Sequence, residues 1–325
     1  MRLRPVIPVL LAAAVLALTA CAPSSAAPAA GGASAEGAGA IRLGQLTSYS
    51  TFAIARDLGL GAELPDGTAV EWVTGLPAFA PALEAAQAGA IDASSGGGTN
   101  FFTALLSGAD IRAIGVEAGS SDQSSGIVAT GASGITGIEG LAGHSIAVNQ
   151  GGTGHYLALR ALDRAGIDPS EVTLEFLPPA DAVAAFQAGA VDAIAIWDQY
   201  FSTASQQPGA RVVATAGDLD SRNLSFHWVT GAFADAHPDQ VQALIAGLEE
   251  VSDQTSEDPT LVTDFYRELG AGEDVLSDIA QWPPFVFEPI TPERIAEFTA
   301  HGEDLVRYGL IDELPDVSGA FVVAD

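Results

Sequence analysis

The sequence predicts an α/β protein, and three observations carry that prediction. Strand and helix patterns alternate from Ile41 to Ile196, the order that builds mostly parallel sheets covered by helices. A ten-residue unit recurs at an offset of 100: residues 84–93 read EAAQAGAIDA and residues 184–193 read AAFQAGAVDA, with seven of ten positions identical. After Asn223 the pattern turns mainly helical.

The elements follow in order. Ile41–Leu46 alternates apolar and polar residues and reads as a strand. The polar turn Thr47-Ser48-Tyr49-Ser50-Thr51 leads into a helix near Phe52–Leu58. Val70–Val73 is extended, Pro77–Gln87 helical, Ile91–Ala93 extended, Phe101–Leu106 helical and Ile111–Val116 extended. The pattern resumes with a strand at Ser145–Val148, a helix from Thr153, a strand at Val172–Phe176, a helix at Asp181–Gln187 and a strand at Val191–Ile196. A later helix carries Val241, Leu244, Ile245, Leu248 and Val251 on one face. The last begins at Thr291-Pro292, a capping residue before proline at the first helical position, and turns Ile295, Phe298 and Leu305 inward.

The repeat organises the chain further. Each copy is a helix closed by glycine (Gly89, Gly189), followed by a strand that opens with Asp92 or Asp192. Glycine suits the left-handed residue that ends a helix. Two similar α/β lobes are expected, with loops 94–100 (SSGGGTN) and 197–200 (WDQY) after equivalent strands. In open α/β sheets, ligands sit beyond the carboxyl ends of strands, so these loops predict a cleft between the lobes. Lobe one is expected over 41–127 plus 226–325 and lobe two over 128–225. The two crossings, near Gly126–Thr130 and Asn223–Val229, would form the hinge.

Charge narrows the function. The 325 residues include 41 Asp plus Glu against 12 Lys plus Arg, for a formal charge of -29, and contain no lysine. Nucleic acid is excluded as a partner, because its phosphates need a basic footprint. A Walker-type phosphate loop is excluded with the lysine it requires. Any bound anion must be held locally, against the field of the whole chain.

The N-terminus has an export pattern. Met1-Arg-Leu-Arg precedes an apolar run from Val6 to Ala20, too short for a membrane span. It ends Leu18-Thr19-Ala20-Cys21, which resembles the lipobox of bacterial lipoproteins. That resemblance implies removal of residues 1–20 and a lipid anchor on Cys21. Cys21 is the only cysteine, which excludes an internal disulfide or a cysteine metal cage. Residues 21–40 are rich in Ala, Gly, Ser and Pro and read as a flexible tether.

Three strand-to-helix junctions carry candidate ligand contacts. Asn149-Gln-Gly-Gly-Thr-Gly-His155 supplies Gly152, Thr153, Gly154 and His155. Glycines admit a ligand to the backbone, and free N–H groups of a first helical turn attract an anion. It is not a dinucleotide fingerprint, because Leu157 stands where the third glycine belongs. Gly98, Thr99 and Asn100 repeat the logic, as do Ser48, Tyr49 and Ser50. Hydroxyl-rich turns also serve as ordinary helix caps. Trp197 and Asp198 close a strand, and Asp198 is either a helix cap or a receiver of a ligand amine or hydroxyl. Arg222 is one of few cations able to hold an anion bidentately.

Catalytic readings are poorly supported. No Gly-x-Ser-x-Gly elbow occurs. The five histidines show no close zinc-ligand spacing, and no metal or cofactor is expected. An enzyme on this fold would need Asp198 or His155 as general base.

Several segments carry a family resemblance: LEAAQAGAIDASSGGGTNFFTALLSGADIRAIG (83–115), GIEGLAGHSIAVNQGGTGHYLALRALDRAGI (137–167), LPPADAVAAFQAGAVDAIAIWDQY (177–200), FADAHPDQVQALIAGLEE (233–250) and PITPERIAEF (289–298). Together they resemble the substrate-binding proteins of the nitrate, sulfonate and taurine class of ABC importers, and among these the aliphatic-sulfonate-binding proteins. The resemblance implies a two-lobed type II periplasmic-binding-protein fold with a two-crossing hinge. It implies a monomeric, extracytoplasmic, non-enzymatic protein that holds a small solute in its cleft. The expected partners are that solute, an ABC permease and its ATPase subunits, with the membrane reached through Cys21. Gly152–His155 match the family's second-lobe ligand loop. Trp197 and Asp198 match its W-D-P-Y segment, with Gln199 in place of proline. The same fold serves binders of thiamine-pyrimidine precursors, and a sensor lipoprotein is a further alternative.

Overall fold

The first predicted strand is the frame on which the rest is laid. In the computed structural model, which describes residues 39–60, 64–65, 68–119 and 122–324, β1 (Ile41–Leu46) buries Ile41 and Leu43 completely. The expected signal peptide, the Cys21 anchor and nearly all of the tether lie outside the described residues. The chain continues through α1 (Thr51–Leu58), β2 (Val70–Leu76), α2 (Phe79–Gln87), β3 (Ala93–Gly97), α3 (Gly98–Leu106) and β4 (Ile111–Gly119). Then come β5 (Ser125–Ala129), β6 (Ser145–Val148), α4 (Thr153–Ala165), β7 (Thr173–Phe176), α5 (Pro179–Gln187), β8 (Ala193–Trp197), α6 (Asp198–Ser205) and β9 (Arg211–Thr215). The remainder is β10 (Ser225–Thr230), α7 (Gly231–Ala236), α8 (Pro238–Glu257), α9 (Thr260–Glu268), α10 (Glu273–Ile279), β11 (Phe285–Pro289) and α11 (Pro292–Arg307).

The strands form two sheets, ordered β11-β4-β10-β3-β1-β2 and β7-β6-β8-β5-β9. Without β11, the two orders are equivalent: β2, β1, β3, β10 and β4 correspond to β7, β6, β8, β5 and β9. In each sheet the second and third of these strands pair in parallel and the fourth runs antiparallel to the third. The internal repeat falls at equivalent places. Gly89 and Gly189 both adopt positive φ, 71° and 67°, and close α2 and α5 with the same pair of backbone hydrogen bonds. Asp92 accepts from the backbone N–H of Arg42 at 2.8 Å, and Asp192 from that of Ser145 at 2.9 Å. Each aspartate thus fastens its strand to that strand's parallel neighbour, β1 or β6.

The structure corrects the reading at four places. Residues 94–97 are strand, and 98–100 open a helix, so no SSGGGTN loop exists. Gly96 is required there because a Cβ would lie 2.4 Å from the Phe79 ring. Likewise Trp197 ends β8 and Asp198 begins α6 with no loop between. β5, β9, β10 and β11 were not expected as strands. Finally, β5 lies wholly in the second sheet and β10 wholly in the first, so the crossings precede Ser125 and Ser225. Of the expected crossings near Gly126–Thr130 and Asn223–Val229, Gly126–Ala129 and Ser225–Val229 are held in ladders on both sides, and Asn223 and Leu224 precede β10.

Helix packing follows the predicted faces. Val241, Leu244, Ile245, Leu248 and Val251 are all buried on one side of the first sheet. On its other side Phe298 stacks on Phe102 at 4.0 Å and meets Phe101 and Phe226 edge-on. Thr291 caps α11 by accepting from the Arg294 N–H. The second sheet is covered by α4 on one face and by α5 and α6 on the other. Phe298→Ala removes the centre of the aromatic stack and is expected to lower unfolding free energy by about 3–5 kcal/mol, measured by urea denaturation.

Candidate functional site

A cavity of about 570 Å³ lies where the strand ends of the two sheets face each other. Lobe one contributes the end of β1 (Leu46–Tyr49), the β2–α2 junction (Pro77–Ala80), the end of β3 (Ser95–Gly97) and Glu117 of β4. Lobe two contributes Asn149 and Gln150 after β6, Pro178–Ala180 after β7, and Trp197 and Asp198 after β8. This is the carboxyl-end crevice expected of α/β sheets. Six helices, α1 to α6, open onto it, and none has a side-chain N-cap. First-turn N–H groups of four of them nevertheless have protein partners: Thr51 donates to Glu117, Thr99 to Asn223, Gly154 to Asn149 and Asp198 to the Ser124 carbonyl, which leaves those of α2 and α5 for other partners. The hydroxyls that could have capped them, such as Ser50, do not.

Of the predicted contacts, Ser48, Tyr49, Asn100, Thr153, Trp197 and Asp198 line the cavity. The others do not, each for a packing reason. Ser50 is buried at the start of α1. Gly98 and Thr99 pack at the back of α3, where Thr99 bonds to Asn223 and lies 3.3 Å from His301. Gly152 and Gly154 are needed for closeness inside the lobe: a Cβ would lie 1.7 Å from the Asn149 amide or 2.2 Å from the Ala195 carbonyl. His155 Nδ1 accepts from the Gly151 N–H, and its ring abuts Phe176. Burial lowers its pKa, and its job is to fix the β6–α4 turn.

Arg222 is a correction. Its guanidinium pairs with Asp304 at 3.1 Å instead of reaching into the cavity. Asp304, on α11, also accepts from Arg160 at 3.0 Å and from the Tyr156 hydroxyl at 3.1 Å, both on α4. Asp304 and Arg160 are buried and Arg222 is partly exposed, so this cluster is a polar clamp between the lobes. Asn223 makes a second tie: its Oδ1 accepts from Thr99, and its Nδ2 donates to the Thr153 hydroxyl at 2.9 Å.

The electrostatics of the cavity are unusual for a candidate anion site. Among the described residues, no arginine or histidine lines it, while Glu117 and Asp198 do. Glu117 Oε1 accepts from the Thr51 N–H at 2.6 Å and the Thr51 hydroxyl at 2.8 Å. Its Oε2 has no hydrogen-bond partner. His227 lies 3.3 Å from Oε1, but burial drives its pKa down to about 3, so it stays neutral and brings no charge. Burial pushes Glu117 up to about 7 against the pull of Thr51. Burial and then the charge of Glu117 push Asp198 up to about 7. Asp198 holds φ at +52°, a conformation that Asp tolerates better than most side chains.

Residues 15–260 match the NMT1-like family. The chain belongs to this family. A relative from Escherichia coli (strain K12), named as an aliphatic sulfonates-binding protein, is 32% identical over 259 residues, 79% of this chain and 80% of that one. The crystal structure of the periplasmic aliphatic sulphonate binding protein SsuA from Escherichia coli superposes with a TM-score of 0.78 at 29% identity, covering 88% of this chain and 92% of that one. The alkanesulfonate-binding protein SsuA from Xanthomonas axonopodis pv. citri, bound to MOPS, matches with a TM-score of 0.77 at 26% identity over 87% and 98% of the two chains. The two-lobed type II fold is the fold of this chain.

Glu117, Asn149, Phe79 and Tyr200 also line the cavity and were not singled out in the sequence. The available signal for Glu117 was an acidic residue closing an apolar strand, Ile111–Val116. For Asn149 it was the strand end itself.

Glu117 makes stability depend on pH. Between its ordinary value of 4.5 and about 7 the folded chain binds more protons than the unfolded chain, so this residue stabilises as pH falls through that window. Relative to Glu117→Gln, the wild type should gain on the order of 2 kcal/mol of unfolding free energy between about pH 8 and pH 5. Urea melts of both proteins at the two pH values measure this.

Proposed function

We propose that this protein is the extracytoplasmic solute-binding lipoprotein of an ABC importer, and that it binds a small sulfonate-bearing solute between its lobes. The observation that carries the reading is the convergence of six helix N-termini on one cavity, with the first turns of α2 and α5 free of side-chain caps. In a chain with no lysine and no cation lining the cavity among its described residues, backbone N–H groups are the available donors for an oxyanion. Hydroxyls and amides of Ser48, Asn100, Asn149 and Thr153 add neutral donors. Phe79, Trp197 and Phe285 offer apolar walls for an aliphatic chain. The relatives named for sulfonates, one of them bound to the sulfonate MOPS, support the same solute class.

A solute touching both lobes would stabilise the closed arrangement, and the closed form would be the one presented to the permease. We place lobe one at 41–119 plus 225–325 and lobe two at 125–221, following the sheets. The protein would bind without turnover, and neither Asp198 nor His155 would act as a base.

In a thermal-shift screen, an alkanesulfonate at 100 times its dissociation constant should add about 2.7 kcal/mol of stability. Trp197→Ala should weaken binding by about tenfold or more through the lost apolar wall, and the sulfonate should be recovered chemically unchanged. A heteroaromatic solute that stabilises where sulfonates do not would transfer the cleft to that class. Cys21→Ser should move the protein from the membrane fraction to the soluble fraction in cell fractionation; unchanged membrane association would remove the anchor from the proposal.

A further inference from the structure

The lobes touch along two seams on opposite faces of the sheets, with the cavity between them. On one face α4 of lobe two lies against α11 and α3 of lobe one. Leu157 and Ala158 of α4 pack in the core of their own lobe, but Tyr156 is completely buried in the core of lobe one, with Phe226 and Phe298. Its ring meets His301 edge-on at 4.6 Å, and its hydroxyl donates to Asp304. One turn on, Arg160 donates to Asp304 and to the carbonyls of Leu219 and Asp220, at 2.7 and 2.6 Å. Those two residues belong to the second crossing, whose Arg222 also reaches Asp304. Two turns on from Tyr156, Asp163 pairs with Arg307 and accepts from the Tyr308 hydroxyl at 3.3 Å. The crossings are themselves joined, since the Gly217 N–H donates to the Asp122 carbonyl at 2.9 Å. This seam and the hinge are therefore one fastened unit.

On the other face α6 of lobe two meets α10 of lobe one. Here the Gln206 amide donates to the Asp274 carbonyl at 3.0 Å, and both residues are exposed. Asp198 opens α6, and Glu117 lies on β4 beside β11, the strand that follows α10. Burial, and then the charge of Glu117, raise the pKa of Asp198, so the two carboxyl groups share the end of the cavity nearest this seam. The two seams differ in what parting them costs. Parting α4 from α11 pulls an aromatic ring out of a packed core and unpairs Asp304 from two arginines. Parting α6 from α10 exchanges a surface hydrogen bond for one to water. It also returns Glu117, whose Oε2 is buried without a hydrogen bond, to solvent that favours its charge.

We propose that lobe two turns on a fixed pivot built from Tyr156, Arg160, Asp304 and the second crossing, and that the cleft opens by parting α6 from α10. The mouth of the cleft then lies on the α6–α10 face of the sheets, and the α4–α11 face stays shut. Tyr156 and Asp304 are positioning residues: they set the axis of the motion without lining the cavity. This inference rests on the two-lobed fold and on no identity of the solute. A rotation of about 15° on an arm of about 20 Å, one helix layer on each side of a sheet, moves the far seam by about 5 Å.

The test measures distances between pairs of spin labels by double electron–electron resonance on the dialysed, detergent-solubilised full-length chain. Cys21→Ser leaves the introduced thiols as the only ones. Arg164→Cys with Glu303→Cys spans the first seam from two exposed positions, and Gln207→Cys with Ser277→Cys spans the second. The α6–α10 pair should show a second population longer by about 5 Å or more, while the α4–α11 pair keeps a single narrow one. A longer population at the α4–α11 pair alone would place the pivot on the wrong side and overturn the inference. Two narrow distributions, or two broad ones, would overturn it as well. Tyr156→Ala should then give the α4–α11 pair a longer component too. If that variant does not fold, Asp304→Asn, which keeps the volume and removes the charge shared by two arginines, carries the same readout. An α4–α11 pair that stays narrow in the folded variant would overturn the assignment of the pivot to these residues. Thermal melts of each labelled chain, matched to the unlabelled one, certify the fold.

Discussion

The chain passes between its sheets twice, and each passage lays an antiparallel strand into the interior of the sheet it enters. β5 sits between β8 and β9, and β10 between β3 and β4. Neither strand can leave without breaking ladders on both sides, so the crossings are anchored at each end. This constraint makes two lobes from one chain and points their strand ends at one another. The helices that follow those strands then have no choice but to start at the cleft.

Two sets of contacts hold that arrangement at the lobe junction. Asp304 gathers Arg160, Tyr156 and Arg222 onto a single carboxylate oxygen, and Asn223 ties α3 to α4. Losing one member of a buried charged cluster costs more than the cluster contributes, because its partners stay buried and unpaired. The clamp also explains why arginines near the cleft do not serve it. In a strongly acidic chain, Arg160 and Arg222 are engaged by a carboxylate of their own, and the cavity is left with backbone dipoles as its positive elements and with two carboxylates at one end.

Much of the fold was legible in the sequence, for local reasons. Ile41–Leu46 and Ser145–Val148 appear as strands with the expected bounds, since alternating or continuous apolar residues leave few other solutions. The α8 face and the Thr291 cap were legible because they depend on neighbours three and four residues away. β10 was not: Ser225–Thr230 pairs with residues more than 100 positions distant in β3 and β4, and no local periodicity records that. The glycine run at 94–100 misled because Gly96 makes room for Phe79, a demand made by a different helix.

The sequence by itself determined the α/β class, the two similar lobes, the strand-to-helix junctions that line the cleft and the absence of lysine from any site. These are properties of composition and of short-range pattern, which each segment carries alone. Tertiary structure decided which side chains at those junctions face the cavity, that Arg222 turns to Asp304, and that Glu117 and Asp198 share one end. Those outcomes depend on which lobe meets which and in what register, and a side chain's partners across a cleft are set by the packing of whole sheets.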